Sequence, residues 1–174
     1  METAEIIRVI SARHEWPIRK LNGKTTIFQA RHVFKWIDSD FKKFGLDKSS
    51  QPTKKMNVIA GEVTGRTFLQ IFMDINPDLG KSVLTISQII ALFEGHPSWL
   101  LQEGLRIFFL IKKNLGIFRK ILALFSKGTS EHYYVFVVNV YLNGLCARVY
   151  LLDDDVRSGE HHYVVYPQFI PLAG

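Results

Sequence analysis

The feature that most constrains the fold is the dipeptide Asn143-Gly144, which separates two runs of β-branched and aromatic residues. This dipeptide predicts a hairpin with a two-residue type I′ turn. Such a turn needs a positive φ at both positions, and Asn followed by Gly is a favoured pair for it. The turn would pair Val138 with Val149, on a face that is apolar throughout. The opposite face is mixed, and we expect its turn end to meet solvent.

Two further apolar runs flank this hairpin. Residues 106–112 precede it and residues 161–166 follow it, and both runs predict strands. The C-terminal part would then be an antiparallel β-meander of three to four strands. We therefore predict an α+β fold in which residues 27–174 form a single domain, with the meander covered by one or two helices. Residues 1–26 would form a basic, partly mobile N-terminal segment.

The first covering helix is predicted over 85–94. Thr85 and Gln88 have the spacing of a capping box, and Gly95 follows the apolar stripe at the position of a helix end. A second amphipathic stripe runs over 115–125, next to Arg119 and Lys120. This stripe is typical of a helix that packs on its own sheet, although it also suits a partner protein or a membrane surface.

Residues 33–44 remain ambiguous, because their apolar side chains fit both a strand and a helix. A short helix over 40–44 would begin near Asp38 or Ser39 and end at Gly45. The polar stretches 19–26 and 47–55 are typical of loops.

Cysteine and histidine content argues against several classes of protein. Cys146 is the only cysteine, so no intramolecular disulfide can form and a cytoplasmic location is expected. The six histidines show no metal-site spacing, and no phosphate loop or nucleophile elbow occurs. We therefore predict no metal, no cofactor and no catalytic residue. The sequence contains neither a signal-peptide pattern nor an apolar run long enough to span a membrane.

The positive charge lies entirely in the first third of the chain. Residues 1–55 contain 12 Lys or Arg and 6 Asp or Glu, whereas residues 56–174 contain 10 of each. Such an asymmetry is typical of a polyanion-binding face, and it is also compatible with an ordinary solvated surface. Cations alternate with aromatic rings in one part of this region, as they do on surfaces that bind single-stranded nucleic acid. The predicted binding residues are Arg31, Lys35, Trp36, Lys42 and Lys43.

The favoured function is thus a non-catalytic binding module for nucleic acid or another polyanion. One alternative is a small nuclease-like hydrolase that uses His161 or His162 with Asp153, Asp154 and Asp155. The two histidines are adjacent in a predicted strand, so their side chains should point to opposite faces. Another alternative is a protein–protein adaptor that binds its partner through 115–125.

Five motifs follow one another along the chain, namely IDSDFKKFGLD (37–47), FLQIFMDI (68–75), LTISQIIALFEGHPSWL (84–100), RIFFLIK (106–112) and VVYPQ (164–168). In this order they resemble a family of uncharacterised bacterial proteins of similar length, and the resemblance covers about residues 33–168. It implies a small α+β cytoplasmic protein and brings no activity with it. The chain departs from the family pattern at 114–131, where that pattern has a short hairpin turn, and its first 25 residues lie outside the match.

Overall fold

A computed structural model of the chain describes residues 7–9, 16–63, 67–95, 98, 102–113, 133–156 and 161–169. These residues form eight strands and three α-helices. The strands are β1 (Ile7–Val9), β2 (Trp16–Ile18), β3 (Phe34–Ile37), β4 (Met56–Val63), β5 (Arg106–Lys112), β6 (Tyr133–Tyr141), β7 (Gly144–Leu151) and β8 (His162–Pro167). The helices are α1 (Asp40–Lys43), α2 (Phe68–Ile75) and α3 (Ile86–Gly95). No helix within these ranges is long and apolar enough to cross a membrane.

The eight strands form one mixed sheet, in the order β1-β4-β8-β5-β6-β7-β3, with β2 also paired to β4. The predicted α+β class and the antiparallel run β5-β6-β7 are confirmed. The prediction of a purely antiparallel C-terminal meander is wrong, because β8 pairs in parallel with β5 and β3 pairs in parallel with β7. Nearly every residue of β8 is buried, and a strand that is apolar on both sides needs an interior position rather than an edge beside β7.

The hairpin turn lies one residue earlier than predicted. Leu142 and Asn143 form the two-residue loop, so that Tyr141 pairs with Gly144 and Val138 pairs with Ala147. Within the described part of the chain only glycines have a positive φ, which excludes a type I′ turn at Asn143. Moving the turn by one position shifts the register by two residues. Since side chains alternate with a period of two, every side chain keeps its predicted face.

One face of the sheet, which we call the first face, packs against α3 and the segment around β3. Its centre is Phe136, whose ring lies 5.1 Å from Phe41, 5.7 Å from Phe34 and 6.2 Å from Phe109. The ambiguity over 33–44 is thereby resolved. Phe34 reaches this core from strand β3, and Phe41 reaches it from helix α1.

The opposite side, which we call the second face, packs against α2. The Phe68 ring meets Phe108 edge-on at 4.9 Å, within a cluster of buried side chains from β4, β5, β6 and β8. Helix α2 was not predicted, although Thr67 and Gln70 form a capping box at its start. The other predicted covering helix, 115–125, lies outside the described residues, as do most of residues 1–15.

The predicted capping box of α3 is confirmed. Thr85 Oγ1 accepts a hydrogen bond from Gln88 N at 3.2 Å, and Gln88 Oε1 accepts one from Thr85 N at 2.9 Å. Because α3 carries much of the first-face core, this pair fixes the helix that covers the sheet.

Replacing Thr85 by Ala should lower the free energy of unfolding by about 0.5–2 kcal/mol, because the amide of Gln88 loses its acceptor. Thr25→Ala is the matched control, since Thr25 bonds Ser87 only through its backbone carbonyl. Urea denaturation measures both variants. Equal midpoints for the two would show that the Thr85 hydroxyl does not cap α3.

The face assignment of the hairpin predicts a sharp contrast between Val138 and Leu142. Val138 is fully buried and Leu142 is 80% exposed. Val138→Asp should destabilise the protein by about 3–5 kcal/mol or more, because it buries an unpaired charge. Leu142→Asp should change stability by about 0.5 kcal/mol at most. Comparable unfolding midpoints for these two variants would contradict the assignment.

Candidate functional site

The predicted binding residues lie on and around β3, the edge strand beside β7. Phe34 pairs with Leu145 but Trp36 pairs with Cys146, so Lys35 is the extra residue of a β-bulge. Both Lys35 and Trp36 are exposed, whereas Phe34 stays in the core. A bulged edge resists pairing with a further strand, and β3 therefore offers a ligand its side chains rather than its backbone.

Lys35 and Tyr141 each contact Trp36, and we call these three residues the strand-edge surface. Lys35 Nζ lies 4.7 Å from the centre of the Trp36 ring and donates a 3.3 Å hydrogen bond to the carbonyl oxygen of Asn143. Tyr141 meets Trp36 edge-on, with 6.1 Å between the ring centres. Trp36 is 43% exposed and Tyr141 47% exposed. Half-exposed rings can stack on a nucleic-acid base, and the cation beside them can neutralise a phosphate.

The other predicted residues lie at the two ends of β3. Arg31 is exposed in the turn before the strand, and Lys42 and Lys43 are exposed in α1 after it. Lys43 Nζ lies 4.0 Å from an Asp40 carboxylate oxygen, which neutralises part of its charge. Within the described ranges no hydrogen bond or ion pair joins these three cations to the strand-edge surface. The structure thus brings Lys35 and Trp36 together and leaves the other three flanking them.

A second group of side chains lines a cavity of about 170 Å³ beside Tyr141. Arg106 pairs with Asn139 across β5 and β6, and both side chains lie on the second face. Helix α2 covers that face farther along the strands, at Phe108, and leaves the end near the hairpin turn open. We call this the arginine cavity, and its lining is Gly104, Leu105, Arg106, Asn139, Val140, Tyr141, Arg148 and Tyr150.

A buried amide forms part of the lining of this cavity. Arg106 Nε donates a 2.9 Å hydrogen bond to Asn139 Oδ1. Because a guanidinium can only donate, this bond fixes the orientation of the amide and leaves Nδ2 as its remaining donor. Asn139 is 7% exposed, and its Nδ2 has no hydrogen-bond partner among the residues described. A buried donor without an acceptor destabilises the protein by about 1–3 kcal/mol.

Arg148 adds a permanent positive charge to the cavity. Its guanidinium bonds the side chains of Tyr150 and Cys146, which raises the pKa of Arg148 above its usual value. The Arg106 guanidinium lies 5.9 Å from the Tyr150 ring centre. No Asp or Glu belongs to the described lining of the cavity. Two cations and an amide donor, without a carboxylate, can bind an anionic group.

Part of the signal for the arginine cavity is visible in the sequence. Asn139, Tyr141 and Arg148 lie on the face of the hairpin that the sequence predicts to be mixed. Arg106 begins a predicted strand, but the sequence between that strand and the hairpin contains no tight-turn signal to set their register. For this reason the pairing of Arg106 with Asn139 could not be predicted.

The structure separates the two histidines of the hydrolase alternative, as their adjacency predicts. His162 is buried on the second face, with its ring 5.1 Å from Phe108. The His161 side chain is 86% exposed, and its Nδ1 lies 3.6 Å from a Glu62 carboxylate oxygen. His161 and Glu62 line a cavity of about 430 Å³ together with Glu103.

The three aspartates of that alternative lie in the turn after β7. Asp154 Oδ2 accepts a 2.9 Å hydrogen bond from Leu151 N, and its carbonyl oxygen accepts one from Phe68 N at the start of α2. None of these aspartates belongs to the described lining of the cavity that contains His161. Asp154 therefore connects the turn to α2.

Within the described ranges, no group of three His, Cys, Asp or Glu side chains is arranged to hold a metal ion. The strand-edge surface and the arginine cavity, with their cations, rings and amide, are therefore our candidate binding sites. Comparison with protein families, curated proteins and solved structures finds no match, so these two sites are interpreted from their own geometry.

Proposed function

We propose that the protein binds a single-stranded polyanion, with nucleic acid as the ligand, across the strand-edge surface. The observation that carries this proposal is the contact of Lys35 with a half-exposed Trp36, which in turn meets a half-exposed Tyr141. Large aromatic rings normally contribute to stability by burial, and here two of them are left open beside a cation. Bases can stack on such rings irrespective of their sequence.

The flanking charges support the same ligand. Arg31 lies before β3, and Lys42 and Lys43 lie after it, so cations accompany the strand-edge surface at both ends. An extended strand of nucleic acid carries a phosphate at every nucleotide and can meet successive cations along this edge. Base stacking at Trp36 would place the ligand, and the phosphate contacts would supply most of its salt-dependent affinity.

The charge contribution predicts a change in salt dependence. Converting Lys35, Lys42 and Lys43 to Gln should reduce the slope of log affinity against log salt by about 0.7 for each phosphate that the variant no longer binds. The slope is measured by fluorescence anisotropy of a labelled single strand at three salt concentrations. A strand of about 15 nucleotides is long enough, because single-strand-binding sites typically span ~4–16 nucleotides.

The matched control is the triple variant Lys20→Gln, Lys54→Gln and Lys55→Gln, which removes the same charge. These lysines are exposed near β2 and β4, at the end of the strand order opposite β3. Their loss should leave the slope nearly unchanged. Equal slopes for the two triple variants would show that binding depends only on net charge. An absence of binding at low salt would overturn the proposal.

Stacking predicts a separate effect at Trp36. Trp36→Ala should weaken binding of the same strand by about 1–3 kcal/mol while leaving the salt slope unchanged, because the ring carries no charge. Trp36→Phe should retain a large part of the affinity. If Trp36→Ala binds as well as the unmodified protein, then the exposed ring has no part in the site.

A further inference from the structure

We propose that the arginine cavity is a binding site for a phosphate group. This inference goes beyond the proposed function, because it needs only the phosphate and not a nucleic-acid strand. Two independent observations support it, namely the pair of arginines in a cavity whose described lining has no carboxylate and the partnerless Nδ2 of buried Asn139. A phosphate would supply an acceptor to Asn139 Nδ2, and its negative charge would complement the two arginines of the lining.

Asn139 and Arg148 would contact the ligand directly. Asn139 Nδ2 would donate to one phosphate oxygen and thereby gain the acceptor that it lacks. Arg148 is exposed, and its planar guanidinium can donate two parallel hydrogen bonds to two further oxygens. A carboxylate offers only two oxygens in one plane, whereas a phosphate can meet both donors from different directions.

Arg106 would act as a positioning residue. Its Nε holds Asn139 Oδ1 at 2.9 Å, so the amide cannot turn its oxygen towards the ligand. Its charge also raises the positive potential of the cavity. The sheet fixes both residues, since Arg106 and Asn139 are direct partners on β5 and β6. The donor that faces the ligand is thus set by the fold before any ligand binds.

The arginine cavity is larger than a site for a single water molecule. Its volume of about 170 Å³ is more than ten times the roughly 10–15 Å³ that a cavity needs to hold one water. Asn139 Nδ2 itself is shielded from solvent, so a phosphate would reach it only if the atoms around the amide moved. Tyr141 and Arg148 are exposed side chains of the lining.

Titration with inorganic phosphate tests the site, with the side-chain amide signals of Asn139 in a nitrogen–proton NMR spectrum as the readout. Phosphate should shift these signals with saturation, whereas acetate at the same ionic strength should shift them much less. Arg148→Gln should weaken phosphate binding about tenfold or more, as expected when a charged hydrogen-bond donor is removed. Arg148→Lys should recover part of that affinity, because the charge returns without the planar fork.

Arg19→Gln is the matched control, since Arg19 is exposed and its guanidinium lies 3.6 Å from Glu94 rather than in the cavity. It should bind phosphate as the unmodified protein does. If the Asn139 signals do not respond to phosphate, or if Arg148→Gln responds with the same affinity, then the inference is wrong.

Two further probes identify the source of the phosphate. A nucleoside monophosphate that binds more tightly than inorganic phosphate would indicate a small phosphomonoester. A single strand without terminal phosphates that shifts the same Asn139 signals would indicate a phosphodiester of the proposed polymer. Trp36→Ala separates this inference from the proposed function, because it should weaken binding of the strand and leave binding of inorganic phosphate unchanged.

Discussion

The whole structure depends on a central pair of strands that is apolar on both sides. In β5 the residues from Ile107 to Ile111 are all buried, and in β6 the same is true from Val135 to Val140. A sheet with such a centre must be covered on both faces, because each exposed side chain of this size would forgo about 1.5–3 kcal/mol of burial. Helix α3 covers the first face around Phe136, and α2 covers the second face around Phe108. The order of the outer strands follows from this requirement, since β8 enters the sheet where both of its faces can be buried.

The arginine cavity occupies the part of the second face that α2 leaves open, and the strand-edge surface lies next to it. Helix α2 contains only eight residues, so it spans about 12 Å and cannot cover the whole of the second face. Beyond its reach the side chains change from Phe108 and Val137 to Arg106 and Asn139 on the same strands. Polar residues at these positions remove the need for a further covering element. They also leave donors and cations next to Trp36 and Tyr141, so the end of the core and the start of the binding surface coincide.

The sequence predicts local features well and distant pairings poorly. The cap at Thr85 and the faces of the hairpin depend on residues close in the chain, and the structure confirms both. The position of β8 depends on competition between burial beside β5 and burial beside β7, which no local pattern records. The alternation of cations and rings in the sequence predicts Lys35 and Trp36 as binding residues. The pairing of Arg106 with Asn139, by contrast, depends on the register of β5 on β6. Helix α2 is a different case. The capping box of Thr67 and Gln70 is a local signal for the start of a helix, but a helix of eight residues is too short for its apolar periodicity to support that signal.

The displaced hairpin turn links the fold to the strand-edge surface. Gly144 has a φ of 140°, which side chains with a Cβ rarely adopt, and a Cβ there would lie 3.1 Å from the Cβ of Lys35. Glycine at this position therefore allows β3 to approach β7 closely at its bulge. That approach brings Lys35 Nζ to the carbonyl oxygen of Asn143, within the loop itself, and holds the ammonium over Trp36. A type I′ turn at Asn143-Gly144 would change the register of β7 on β6 and so place this carbonyl at a different position relative to Lys35. The same glycine that predicts a hairpin thus also positions the cation and the ring on which the proposed binding surface depends.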